Sequence, residues 1–154
     1  MSNIISDVVK LKYNSFILAS AMLSYYENCK VRQDNVLLIY LLFPVILNSD
    51  WIIKAPIPKK NSRLESWVKD NKIHIEGLPE RMTTFQRLSE TTLQYCIDME
   101  YVKVDESNNV IVNNNPFKKK SVIDNAAIRL SKLIGDNTPA KIFAALGIRE
   151  LKVL

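Results

Sequence analysis

The chain has 154 residues, one domain's worth of sequence. It holds three glycines (Gly77, Gly135, Gly147), one histidine (His74) and two cysteines (Cys29, Cys96). That scarcity excludes a glycine-clustered phosphate loop, a His/Cys zinc site and a G-x-S-x-G nucleophile elbow. Residues 1–112 carry 13 basic and 13 acidic side chains, so the whole net charge of +5 lies in residues 113–154, where eight basic residues face three acidic ones. Such asymmetry suits contact with nucleic acid or an acidic partner.

From the start, Met1 to Lys12 mixes acid and base into its apolar residues, so no signal peptide is expected. A first helix starts near Asn14 or Ser15, with Phe16, Ala19, Leu23 and Tyr26 on one face, and ends around Asn28. After a polar link, Asp34 or Asn35 caps a second helix that is apolar on nearly all sides and belongs inside the fold. Its run, Val36 to Leu47, has 12 residues and contains Pro44, which kinks or ends the helix. A membrane span needs about 20 residues, so none is expected.

Residues 48–61 read as a loop, rich in proline, lysine and asparagine. Ser62 and Glu65 form a capping-box pattern ahead of a short helix through Leu64, Trp67 and Val68. Ile73 to Leu78 alternates briefly. The clearest helix follows, opened by Pro79, with Met82, Phe85, Leu88, Tyr95 and Met99 at helical spacing. The period then switches to two in Tyr101–Val104 and in Val110–Val112, separated by Asp105-Glu106-Ser107-Asn108-Asn109: a β-hairpin. A polar basic loop, Asn113 to Lys120, leads to a helix whose Val122, Ile123, Ala126, Ala127, Leu130, Leu133 and Ile134 share a face, with Gly135 beyond its end. Thr138-Pro139 opens a last helix, Ala140 to Leu146, closed by Gly147. The expected fold is mainly α, one compact helical domain over 1–154 with one β-hairpin and a winged-helix outline.

A winged helix would read a DNA groove with the long helix and use the hairpin as the wing. The plainer alternative is a helix and hairpin sharing a core. The long helix carries Arg81 and Arg87 but also Glu80, Glu90, Asp98 and Glu100, which favours the plainer account. Residues 124–146 outline a helix-turn-helix, yet Ala140 to Ala145 offers one lysine and few base-reading groups, so packing is the better account. Lys118, Lys119 and Lys120 form a basic run that suits a solvated loop, a phosphate contact or an acidic protein partner. A nuclease reading of Asp70 and Lys72 with Asp50 fails because the pair falls at a helix end. His74, between Ile73 and Ile75, reads as packed rather than as a general base. Cys29 and Cys96 read as reduced and buried.

Several pieces in order carry a family resemblance: SFILASAMLSYY after Tyr13-Asn14, the Phe43 to Leu47 segment, TTFQRL with Phe85 and Arg87, QYCIDMEYVKV, and AAIRLSKLIGDNTPAKIFAALGIR. The chain resembles the middle component of bacterial three-component ABC systems, a family that includes the small accessory subunit of Lamassu-type defence systems. The resemblance spans Tyr13 to Glu150 and is strongest in the C-terminal Phe-x-x-Leu-Gly-Ile-Arg ending. The composition, with two separated reduced cysteines, reads as cytoplasmic, and the resemblance implies a non-enzymatic adaptor joining an SMC-like ABC ATPase to an effector, often a nuclease, in anti-phage or anti-plasmid defence. It transfers no catalytic, metal or cofactor residues, and it implies DNA contact through the complex, with no membrane and no small-molecule substrate. Lys141, Phe143 and Arg149 are the expected partner-interface residues. A stand-alone winged-helix DNA binder is the alternative.

Overall fold

The computed structural model describes residues 15–48 and 64–149. Its elements in chain order are α1 (Ser15–Glu27), a 3-10 turn (Asn35–Leu38), α2 (Ile39–Ile46), α3 (Leu64–Asp70), α4 (Lys72–Ile75), α5 (Leu78–Asp98), β1 (Val102–Val104), β2 (Val110–Val112), α6 (Val122–Ile134) and α7 (Pro139–Ala145). The mainly helical architecture with one antiparallel hairpin matches the sequence expectation. The expected caps at Asn14 and Ser62, the loop beyond Asn48, and Asp50 lie outside the described residues.

Helices α1 and α2 form the centre. Helix α1 is wedged between α6 and α5, while α2 packs against α5 and α6. This placement buries α1 on all sides. Leu18, Ala19, Ala21, Met22, Leu23 and Tyr25 are fully inaccessible, and Ser20 and Ser24 are buried with them. The apolar stripe visible in the sequence, Phe16, Ala19, Leu23 and Tyr26 widened by Ile17 and Ala21, therefore understates the burial of α1.

Pro44 does not end α2. The helix continues to Ile46, and the Leu47 N–H reaches the Phe43 carbonyl at 3.0 Å. Proline removes one donor from the ladder, but α2 is enclosed by packing that holds the turn together. The Pro44 carbonyl also accepts from Arg81 Nε at 3.1 Å, tying α2 to α5. The alternating stretch after Asn71 is a single helical turn, α4, rather than a strand.

Helix α5 has Gly77 in a left-handed conformation before it and Pro79 in its first turn. At its other end Glu100 takes φ +61°. The Tyr101 N–H then bonds the Cys96 carbonyl at 2.9 Å and the Glu100 N–H bonds the Ile97 carbonyl at 3.0 Å, a Schellman arrangement with glutamate where glycine is usual. The chain turns directly into the hairpin, paired Val102 to Val112, Lys103 to Ile111 and Val104 to Val110. Val102 and Val110 enter the core, and Lys103 and Ile111 face outward.

Helix α6 opens with a capping box. The Asp124 N–H donates to Ser121 Oγ, and the Ser121 N–H donates to Asp124 Oδ2 at 2.8 Å. Its inner residues Ala126, Ala127, Leu130, Leu133 and Ile134 are buried, and Gly135 follows at φ +63°. Thr138 caps α7 as expected, accepting from the Lys141 N–H. Helix α7 packs against α3 and the 3-10 turn.

Candidate interaction surface

Both buried thiols lie inside. Cys29 and Cys96 are free and 4% and 0% exposed, and burial pushes the Cys96 thiol up to about 12 and the Cys29 thiol upward. Thiols held in that form are poor nucleophiles. Asp70 and Lys72 are exposed on either side of Asn71, at the junction of α3 and α4. Among the described residues no group of three or more His, Cys, Asp or Glu could hold a metal ion.

The two halves of the winged-helix outline are both engaged internally. On α5, Arg81 donates to the carbonyls of Pro44 and Glu76, which leaves Arg87 as the outward arginine among exposed Glu80, Glu90 and Asp98. That face repels phosphate rather than attracting it. The hairpin turn is fastened to residues 32–36. The Asp34 N–H donates to the Ser107 carbonyl at 2.9 Å, and the Val36 N–H donates to the Asn108 carbonyl at 3.0 Å. Two asparagine side chains complete the clasp. Asn35 Oδ1 accepts from the Val110 N–H at 2.6 Å, Asn109 Oδ1 accepts from the Asn35 N–H at 3.2 Å, and Asn109 Nδ2 donates to the Arg32 carbonyl at 2.6 Å. A hairpin tip tied down in this way serves as a brace.

The basic loop before α6 has a defined shape. The N–H groups of Asn113 and Asn114 both donate to the Tyr101 carbonyl, and Asn115 Nδ2 donates to Glu27 Oε1. The Phe117 ring meets the Tyr101 ring edge-on at 6.0 Å. Lys120 Nζ donates to Ser24 Oγ at 2.9 Å, so this lysine is turned toward α1. Lys118 and Lys119 are exposed. The triplet thus divides into one anchor and two outward cations.

Lys141 and Arg149 are exposed, but Phe143, expected beside them at an interface, is not: it is 7% exposed and belongs to the core. In α7 the pair Ile142 and Phe143 faces inward, leaving Ala140, Lys141 and Ala144 outside. The two basic groups lie on either side of α6 in the chain. Lys118 to Lys120 precede α6 and Lys141 follows it, and a helix of 13 residues is about 20 Å long.

A family model described as ABC-three component (ABC-3C) system Middle Component 3 matches residues 2–150. The chain belongs to that family. No curated protein and no solved structure matches it. The family resemblance read from the ordered apolar pattern is therefore correct at the level of a middle component of three-component ABC systems. Membership makes this middle component an accessory part of a multi-component system. No helix among the described residues is long and apolar enough to cross a membrane.

One basic feature of this middle component escaped the sequence reading. The outward side of α6 carries Val122, Asn125, Arg129 and Lys132 at spacings of three, four and three, one helical stripe. Val122 is 65% exposed, Asn125 and Lys132 are exposed and Arg129 is half-buried. The acid of this helix, Asp124, is 1% exposed and engaged on the inner side. Val122, expected on the apolar face, is therefore on the outward side at the start of α6, and the polar members of the stripe were available in the same periodicity, read opposite Ala126, Ala127, Leu130, Leu133 and Ile134.

Proposed function

We propose that this middle component is a non-enzymatic adaptor, a single cytoplasmic domain that joins an SMC-like ABC ATPase to an effector in an anti-phage or anti-plasmid complex of Lamassu type. The observation that carries the reading is the family match over residues 2–150, since a middle component is by description one part of a three-component system. Several features support it. The buried thiols and the inward-turned Arg81 point to a chain built around packing. The exposed Lys141 and Arg149 near α7 offer cations to an acidic partner surface. Salt-weakened contact is expected there, because exposed ion pairs are screened.

The test is co-expression of the tagged chain with the ABC ATPase and the effector of its own system, followed by size-exclusion chromatography. The expected result is one peak holding all three. If the chain elutes alone while both others are folded and soluble, the adaptor reading fails. A chain that binds duplex DNA and joins neither subunit is the mark of the alternative, a stand-alone DNA binder.

A further inference from the structure

The outward side of α6 has a composition that neither a core nor an apolar protein interface requires. Two cations, Lys118 and Lys119, stand exposed at its N-terminal end, and two more, Arg129 and Lys132, lie on its outward stripe toward the C-terminal end. Between them are Ser121, Val122 and Asn125, all exposed. No acidic side chain lies on this stripe, because Asp124 is turned inward onto Ser20 and the Ser121 N–H. Asp136 comes only after Gly135 has ended the helix.

We propose that this face of α6 lies along the phosphate backbone of a nucleic-acid duplex and binds it without reading sequence. The inference is independent of the adaptor reading. Three observations favour phosphate over an acidic protein. A protein–protein hot spot needs apolar or aromatic anchors, and this face has Val122 alone. Phosphate oxygens are contacted by Lys, Arg, Ser and Asn donors, which is the composition present. The cations are set along a straight element of about 20 Å, comparable with the axial rise of about six base pairs of duplex at 3.4 Å each. Single-stranded nucleic acid is the poorer fit. It is held by aromatic stacking, and the nearest aromatic in sequence, Phe117, is packed on Tyr101.

The loop geometry strengthens the point. Lys118 and Lys119 are carried on a segment fixed by Lys120 on Ser24 and by the hydrogen bonds that the Asn113 and Asn114 N–H groups donate to the Tyr101 carbonyl. Their positions relative to α6 are set before any partner arrives, which lowers the ordering cost of binding.

Fluorescence anisotropy of a labelled duplex of arbitrary sequence, titrated with the full chain, tests this. With four phosphates neutralised, the plot of log K against log salt should have a slope of about −3.6. Changing Lys118, Lys119, Arg129 and Lys132 together to Gln should weaken binding by at least tenfold at low salt and flatten the slope. A control with the same loss of charge, Lys30, Lys69, Lys72 and Lys103 to Gln, should change binding less than threefold. Should the fourfold variant not fold, Lys118→Gln and Lys132→Gln, both at exposed positions, should each reduce the slope by about one. No binding at low salt would overturn the proposal, as would equal losses in the two fourfold variants. Poly-glutamate competing more strongly than duplex would reassign the face to an acidic protein and overturn it as well.

Discussion

Ser20 Oγ donates to Asp124 Oδ1 at 2.8 Å, joining α1 to α6 across 104 positions of sequence, with both residues buried. The other carboxylate oxygen accepts the Ser121 N–H. One side chain therefore satisfies a helix terminus and a polar group on the central helix. Asp124→Ala would strand the Ser20 hydroxyl inside the protein and leave the Ser121 N–H without its cap partner. The expected loss is about 3 kcal/mol, combining an orphaned buried hydroxyl with a lost cap. Ser121→Ala removes only one arm of the box and should cost about 1 kcal/mol. Urea denaturation of the three proteins checks the order, and equal stabilities for Asp124→Ala and Ser121→Ala would refute this account.

The Asn35–Asn109 clasp makes a second quantitative prediction. Each amide makes one bond as acceptor and one as donor: Asn35 to the Val110 N–H and the Val31 carbonyl, and Asn109 to the Asn35 N–H and the Arg32 carbonyl. Either residue changed to Ala should destabilise by about 2 kcal/mol. The two losses should not add, because removing one side frees the segment the other was holding. A double-mutant cycle by denaturant unfolding measures this, with a coupling of about 1 kcal/mol expected.

At the end of α5, Glu100 has φ +61°, a conformation that costs an L-residue about 1–2 kcal/mol and glycine nothing comparable. Glu100→Gly should therefore stabilise the chain by about 0.5–1 kcal/mol, a rare sign for a glycine substitution. Thermal melting should show a rise of a few degrees. A fall would mean that the glutamate side chain makes a contact outweighing the backbone cost.

Tyr40 lies in the groove between the 3-10 turn with α2 and α5, with its hydroxyl donating to Glu90 Oε1 at 3.0 Å. Burial first, and then this bond to the carboxylate, pushes its phenol up to about 12. A phenol that holds its proton more tightly in the folded than in the unfolded chain adds stability that is complete below about pH 10. That contribution is lost as pH rises toward 12. Glu90→Gln should bring the midpoint down part of the way, because burial remains. Difference absorbance titration against Tyr40→Phe isolates this phenol, and an unchanged midpoint would remove Glu90 as a cause.

Local chemistry was readable from the residues. The hairpin showed as a change of period at Tyr101, its turn as five turn-tolerant residues, and the last two helix boundaries as Gly135, Thr138-Pro139 and Gly147. Partnership at long range was not. Ser20 and Ser24 look like a polar edge of α1, because nothing nearby in sequence says that Asp124 and Lys120 will meet them. For the same reason Lys120 could not be told apart from Lys118 and Lys119, although it alone of the three is bound to α1. Pro44 signals a stop by its local chemistry, and enclosure by α5 and α6 overrides it. Phe143 could face outward or inward on its local pattern, and the placement of α7 against α3 and the 3-10 turn buries it. On the candidate surface, the lysine run was visible as a run, whereas Arg129 and Lys132 needed the helix to be viewed from its polar side.

The span between Ser20 and Asp124 has a consequence for the birth of the protein. Helix α1 cannot meet α6 until about a hundred further residues have been made, a delay on the order of 5–20 s at ribosomal speeds. During that interval the side of α1 that α6 will cover has no permanent partner, although α5 can already meet α1 and α2. The nascent chain is thus a natural client for a chaperone at the exit tunnel, and a message cut short before α6 would yield a sticky fragment instead of a smaller folded unit.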